Sequence, residues 1–498
     1  MAKKKPGKSD HKRAYQLLLA AVVLLLTTPY LAPRLSPEAA LGIAAFVSLL
    51  AIVIIRSGTP SVDWFHPLSI LVTLFFLLFV ASGVIILLGI SHILTSLYGP
   101  TPDSVFDLMN RATLYASAFL LTVYAGFLFA RPGTRKQTGS PGPIAPGLAS
   151  WDKRKLPQLR LAAWLSLGCS YLGCVILAAI FGGIRSIVAE PMAVIESRGA
   201  FWPFVLVWAS LWSFGVFYIS YVKERKPRYL FALLLTLPTM LFEFLAGGTK
   251  MAVILPVVCF LILRHYLVRR LSWKFIPTLA GFTLLIFAVG YAYRSSGFGS
   301  GDFAAGVADY RENKSVIFQT FLGRFYGTDS FMVVLDAADQ SYPLQWGATM
   351  ADLLYFYIPR ALWPGKPESY SLAFGREFLS AIPHAEGTFF TPTLPGELYL
   401  NFGVVGVLAG GLLMGFLLRK FYLKLFLSPD RGVEQLLVYA AAMPLVALVL
   451  SGPISSTVEF VLLRSACFAA FYWFAGKVLG ATAKTGVHPM LPTSEQTV

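Results

Sequence analysis

Between Arg294 and about Gly406 an otherwise apolar chain spends polar residues freely, and several of them have the types and spacing that chemistry needs. The run Ile358-Pro359-Arg360-Ala361-Leu362-Trp363-Pro364-Gly365-Lys366-Pro367 sets an arginine and a lysine on a loop whose prolines restrict the backbone. Arginine offers a planar fork and lysine a point charge, so the pair suits a phosphate clamp. Trp363 equally suits the headgroup level of a membrane, where the two cations would snorkel and act only as anchors.

Glu397 opens an apolar run in Gly396-Glu397-Leu398-Tyr399-Leu400-Asn401-Phe402-Gly403, and a desolvated carboxylate there is an acid/base candidate. The same position also suits a carboxylate that merely favours a helix N-terminus. Arg324 and Asp329, within Gly323-Arg324-Phe325-Tyr326-Gly327-Thr328-Asp329, either reach a shared site or pair with loop charges. Asp329 is the second candidate base, and His384, in Pro383-His384-Ala385-Glu386-Gly387, is the third or an ordinary surface histidine. Arg294 and Arg376 supply further cations, and the glycines after Arg294 suit a mobile lid or a plain loop. Glu243 and Lys250 lie near the ends of consecutive spans, where they close the bundle by pairing or join the phosphate site. For Glu459 and Arg464 in the last span, structural pairing is the favoured reading.

Elements of a particular kind must position these groups. With 56% hydrophobic and 13% charged residues among 498, the composition is that of a chain embedded in a bilayer. Uncharged runs such as Pro67 to Ile90 and Ala112 to Ala130 match the roughly 20 residues that cross the hydrocarbon core. Lipid offers backbone polar groups no partner, so the spans must be helices. The expected fold is all-α and polytopic, with about twelve transmembrane helices and one long external loop containing short interfacial helices. Val316 to Ala337 is expected to lie at the interface, and Trp346 to Ile358 to be re-entrant or interfacial.

The formal charge of +16 lies mostly in short loops, and the strongly basic loops fall on one side, which places both termini in the cytoplasm. The organisation that follows is helices 1–4 in residues 1–130, a flexible basic cytoplasmic linker at 131–159, helices 5–9 in 160–293, an external loop at 294–396, helices 10–12 in 397–480 and a tail at 481–498. The external loop carries more arginine and lysine than such loops usually do, which points to an anionic ligand. Gly406, Gly410, Gly411 and Gly415 form overlapping small-xxx-small patterns that should place their helix centrally. Cys169, Cys174, Cys259 and Cys467 fit neither a disulfide framework nor a zinc pattern, and no protein-held metal or cofactor is expected. P-loop, Rossmann and nucleophile-elbow motifs are absent, which disfavours soluble-nucleotide chemistry.

In Ile358 to Pro367, Gly396 to Gly406 and the Gly248-Thr249-Lys250 turn, the chain resembles the Wzy-type repeat-unit polymerases of O-antigen and exopolysaccharide. That group is related to O-antigen ligases and GT-C-type glycosyltransferases. Arg376 and Gly387 match an Arg-x10-Gly pattern of such polymerases, while the external histidine motif of the ligases has no counterpart near Gly403. The resemblance implies an inverting, metal-independent transfer of a glycan from polyprenyl pyrophosphate to an incoming lipid-linked repeat unit, on the external face of a bacterial inner membrane. Glu397, Asp329 or His384 would take the acceptor proton, and Arg360, Lys366, Arg324, Arg294, Arg376 and Lys250 would hold the pyrophosphate. Expected partners are the lipid-linked oligosaccharide and membrane lipids, with a chain-length regulator and a flippase as candidates and no nucleic acid. The competing readings are a transporter or flippase of lipid-linked oligosaccharides, and a ligase.

Overall fold

The computed structural model describes residues 7–58, 63–88, 103–130, 155–189, 201–247, 251–275, 278–279, 281–283, 285–286, 289, 326–355, 358, 362–367, 370–378, 392–426 and 432–484. Over these residues the chain is an all-α polytopic membrane protein. Ten of its helices are long and apolar enough to cross a bilayer, and Ala252–Leu267 is a shorter apolar helix. Half of the expected span from Phe275 to Ala292 falls outside the described residues, as do most of the 131–159 linker and the 481–498 tail.

In chain order the helices are α1 (Gly7–Leu31), α2 (Pro37–Gly58), α3 (Pro67–Leu87), α4 (Asp103–Phe129), α5 (Lys155–Ile180), α6 (Trp202–Glu224), α7 (Pro227–Ala246) and α8 (Met251–Leu267). They continue with α9 (Gly327–Asp339), α10 (Tyr370–Phe378), α11 (Leu394–Leu425), α12 (Val433–Ser451) and α13 (Ile454–Lys484). The start of α5 at Lys155 corrects the linker boundary. Lys155 pairs with Glu434, and Gln158 donates to the Tyr472 carbonyl at 2.8 Å, so the last residues of the expected linker belong to the bundle.

α4 is the most enclosed span, packed by α1, α2, α9 and above all α11. Small residues create that last contact. A Cβ on Gly411 would lie 1.9 Å from Thr122 Oγ1, and one on Gly415 2.0 Å from the Val123 carbonyl oxygen, so only glycine permits this approach. α11 is therefore held closely to α4 along one side, but only about a third of its apolar stretch is buried, so it lies less centrally than expected. Gly406 and Gly410 do something different, because both make room for Leu398 of their own helix, folded back across a break described below. A second group, α5 to α8 with α13, packs alongside, and α12 bridges the two through α3, α8 and α11.

α9 departs from its expected interfacial position. Every residue from Gly327 to Leu335 is buried, between α4, α11 and the far half of α3. A π-helical turn at Phe76–Ala81 in α3 makes this seat. The Thr328 hydroxyl donates to the Phe79 carbonyl (3.0 Å) and the Thr328 N–H to Ser82 Oγ (3.3 Å). The Phe79 carbonyl also accepts from the Ser82 N–H, so the Thr328 hydroxyl is a second donor to it. A Cβ at Gly327 would sit 2.4 Å from the Leu78 carbonyl oxygen, so glycine lets α9 begin against the backbone of α3.

Candidate functional site

Polar side chains in an apolar bundle must find partners, and their largest gathering lies at the start of α11. α11 is broken at Gly403, where φ 59° and ψ −149° belong to a region that essentially only glycine adopts. Ahead of the break, the Leu400 and Asn401 carbonyls accept from the N–H groups of Gln345 and Trp346, both at 3.1 Å. An unbroken helix would use those carbonyls four residues further on, so a loop has replaced the missing turn. Trp346 adopts φ 48° and Gly347 φ 90° to do so. Irregular backbone in a membrane protein persists where protein covers it or a cavity is lined by it, and this loop provides the cover.

The loop continues into a 3-10 helix, Ala348–Leu354, wedged among α10, α11 and α13. From it Thr349, itself buried, donates to Glu397 Oε1 at 2.8 Å. The other carboxylate oxygen accepts from the Ile454 N–H, also at 2.8 Å. Glu397 is fully buried, and its carboxylate faces the N-terminus of α13. Asn401, one turn on, donates to Thr349 Oγ1 (2.7 Å) and to the Glu397 carbonyl (2.8 Å), while its Oδ1 accepts from the Gly347 N–H (2.8 Å). Ser455 reaches the Thr349 carbonyl at 3.5 Å. The Tyr370 hydroxyl of α10 is pushed well above the usual tyrosine range, first by burial and then by the charges of Tyr342, Glu397 and Glu377.

Beside this cluster a groove of 420 Å³ runs between α11, α12 and α13. Leu394, Leu398 and Ile454, which flank Glu397 or bond it, line one part of it, and Met414, Phe421 and Val461 line others. Its walls are apolar. The arrangement thus sets a fully buried, hydrogen-bonded carboxylate next to an apolar groove.

Asp329 is buried in the first turn of α9, which packs on α11. Phe331 of the same helix lies against Gly396 and 5.9 Å from the Tyr399 ring. Both candidate carboxylates therefore sit in the opening turns of adjoining helices. The Lys366 ammonium donates to the Ile358 carbonyl (3.1 Å) and lies 5.9 Å from the Tyr355 ring centroid. Arg376 is exposed in the last turn of α10. Arg294, Arg324, Arg360, His384 and Lys250 lie outside the described residues.

Thr349, Asn401, Tyr370 and the Ile454 amide are the members that sequence reasoning missed. Asn401 carried a usable signal, an amide two residues before a glycine in a run otherwise fit for lipid. Elsewhere, Glu243 pairs with Arg464, 221 residues apart in sequence and both buried. At the same end as Glu397, Arg111 forms a bidentate pair with Asp339, at 2.5 and 2.9 Å. At the opposite end of the bundle, Asp63 accepts from Tyr266 (2.8 Å) and faces His265 Nε2 (3.5 Å).

Comparison of the chain with protein-family models, with curated proteins and with solved structures returned no match.

Proposed function

We propose that this multi-pass membrane protein is a glycosyltransferase that polymerises oligosaccharide repeat units carried on polyprenyl pyrophosphate, at the external face of a bacterial inner membrane. The observation that carries the reading is the buried carboxylate of Glu397 beside an apolar groove between α11, α12 and α13. A lipid-linked glycan needs both a dry channel for its tail and polar chemistry at the channel mouth.

In this reaction the acceptor hydroxyl attacks the anomeric carbon of the donor glycan, the bond from that carbon to the pyrophosphate oxygen breaks, and the acceptor proton passes to a carboxylate. Glu397 takes the proton once Thr349 turns away from Oε1, with Asp329 and His384 as the other candidates. Arg360, Lys366, Arg324, Arg294, Arg376 and Lys250 hold the leaving pyrophosphate, whose growing negative charge fixed cations stabilise. No metal or other cofactor enters the scheme. A chain-length regulator and a flippase are candidate partners.

Deletion of the gene followed by surface-glycan electrophoresis tests the proposal. Single-repeat glycan in place of a ladder supports it, and an unchanged ladder overturns it. One observation favours a second reading. A helix broken where it carries a buried carboxylate is a feature of secondary transporters, so complete loss of glycan export on deletion would indicate a flippase. The proposed orientation, with both termini cytoplasmic, predicts that an impermeant thiol reagent labels a cysteine placed at Ser341 and spares one at Ser140. The opposite pattern would remove the active site from the external face.

A further inference from the structure

Glu243 of α7 and Arg464 of α13 form an ion pair inside the bundle, with 2% and 3% of their side-chain surfaces exposed. The Arg464 guanidinium also lies over the Phe460 ring at 4.0 Å and the Trp208 ring at 5.1 Å, while its Nε has no hydrogen-bond partner among the described residues. A buried pair with a donor left over is a poor device for stability, because desolvating both charges offsets most of their attraction and apolar residues of similar volume often do as well. Its value must then lie in what it specifies. Apolar helix faces in lipid pack almost equally well in neighbouring registers, whereas a polar pair accepts one.

α13 is the helix for which register matters. Its first amide, Ile454 N–H, is a hydrogen-bond donor to Glu397 Oε2 at 2.8 Å, and a displacement of under about 1 Å along the axis would carry it beyond hydrogen-bonding range. Arg464 lies about 15 Å further along the same rigid helix. At that level Trp212 of α6 also donates to the Arg464 carbonyl at 3.0 Å, and near the other end Gln158 of α5 holds the Tyr472 carbonyl. Of these tethers only the ion pair joins charges, and only it reaches α7.

We propose that Glu243 and Arg464 are positioning residues that set the axial register of α13 and thereby keep the Ile454 amide on Glu397. The pair acts on Glu397 through the helix and touches no substrate. The inference rests on the geometry around Glu397 and not on the reaction assigned to it.

The test is labelling of Glu397 in the full-length protein in membranes by a hydrophobic carbodiimide, which modifies protonated carboxyls within the bilayer, read by mass spectrometry. The informative variant is the double substitution Glu243→Leu with Arg464→Leu, which removes both charges and leaves neither stranded. Loss of a hydrogen bond to the charged form raises the protonated fraction, so labelling of Glu397 should rise about tenfold or more in this variant. Reversal of the pair, Glu243→Arg with Arg464→Glu, should restore protection. A Leu/Leu variant that is stable and leaves Glu397 as protected as in the wild type would overturn the proposal. A variant that loses stability is compared with Phe468→Ala, which loosens the stack on Trp212 on the same helix without touching the pair. Equal labelling in the two would also overturn it, and excess labelling in Leu/Leu would support it. Failure of the glycosyltransferase assignment would leave all these outcomes unchanged.

Discussion

Glu397 is either the base that takes a proton from substrate or a latch that ties α11 to α13, and two near-isosteric substitutions separate these roles. Thr349→Val removes the hydroxyl that donates to Oε1 at almost constant shape, while the Ile454 amide keeps Oε2 and Asn401 keeps the Glu397 carbonyl. The substitution also strips Asn401 Nδ2 of the hydroxyl oxygen that accepts from it, so losing one hydrogen bond to a charged group and one neutral one should destabilise by about 2–4.5 kcal/mol. Glu397→Gln keeps the volume, and its amide oxygen still accepts from Ile454. Its NH2 then meets Thr349, whose hydroxyl must accept instead of donate. Both contacts survive without the charge, at a loss of about 1–2 kcal/mol. Thr349→Val thus weakens the fold at least as much as Glu397→Gln, but only Glu397→Gln removes a base. General-base catalysis contributes about 10²–10⁴-fold, so Glu397→Gln should lower polymerisation of a purified lipid-linked repeat unit by at least about a hundredfold. Thr349→Val should stay within about tenfold, since the carboxylate remains. Thermal unfolding measured in parallel checks that the folded fractions match. Near-normal turnover by Glu397→Gln would refute the base, and equal losses in both variants would identify a latch.

Two further outcomes follow from backbone and charge. Gly403→Ala should lower stability by about 1–3 kcal/mol through backbone strain alone, because nothing lies within 4 Å of the added Cβ; an unchanged melting temperature would show that the break relaxes easily. His66, just ahead of α3, is held neutral, its pKa pushed down to about 4 first by burial and then by the charge of Arg419, against the opposing pull of Asp63. Its Nδ1 accepts from the Leu68 N–H at 3.2 Å, which also requires the neutral ring. The unfolded chain binds this proton near pH 6.5 and the folded one does not, so stability is full above pH 6.5 and falls as pH drops toward 4. About 2 kcal/mol should be lost between pH 7 and pH 5 on this account. His66→Asn, which keeps a capping side chain, should flatten that part of the pH–stability curve; an unaltered slope would place the proton elsewhere.

Much of the architecture was legible in the chain because the bilayer acts locally. A run of apolar residues in lipid must satisfy its own backbone, so length and hydropathy suffice to mark α1 to α7 and α11 to α13. Glycine spacing marked the close approach of α11 to a neighbour for an equally local reason, since Gly411 and Gly415 let Thr122 and Val123 of α4 approach. Glu397 was readable as a carboxylate out of place in an apolar run. Its partners were not, because Thr349 lies 48 residues before it and Ile454 57 after it, and the latter contributes a backbone amide that no residue type announces. Asp329 was expected in a helix at the membrane interface, yet the π turn of α3 and the small Gly327 draw that helix inside. Glu243 had Lys250 as its nearest cation in sequence but pairs with Arg464. Burial in lipid is decided residue by residue along the chain, and sequence alone determines it. Which polar groups meet within the bundle depends on helix rotation, register and breaks such as Gly403, and only the packed tertiary structure decides those.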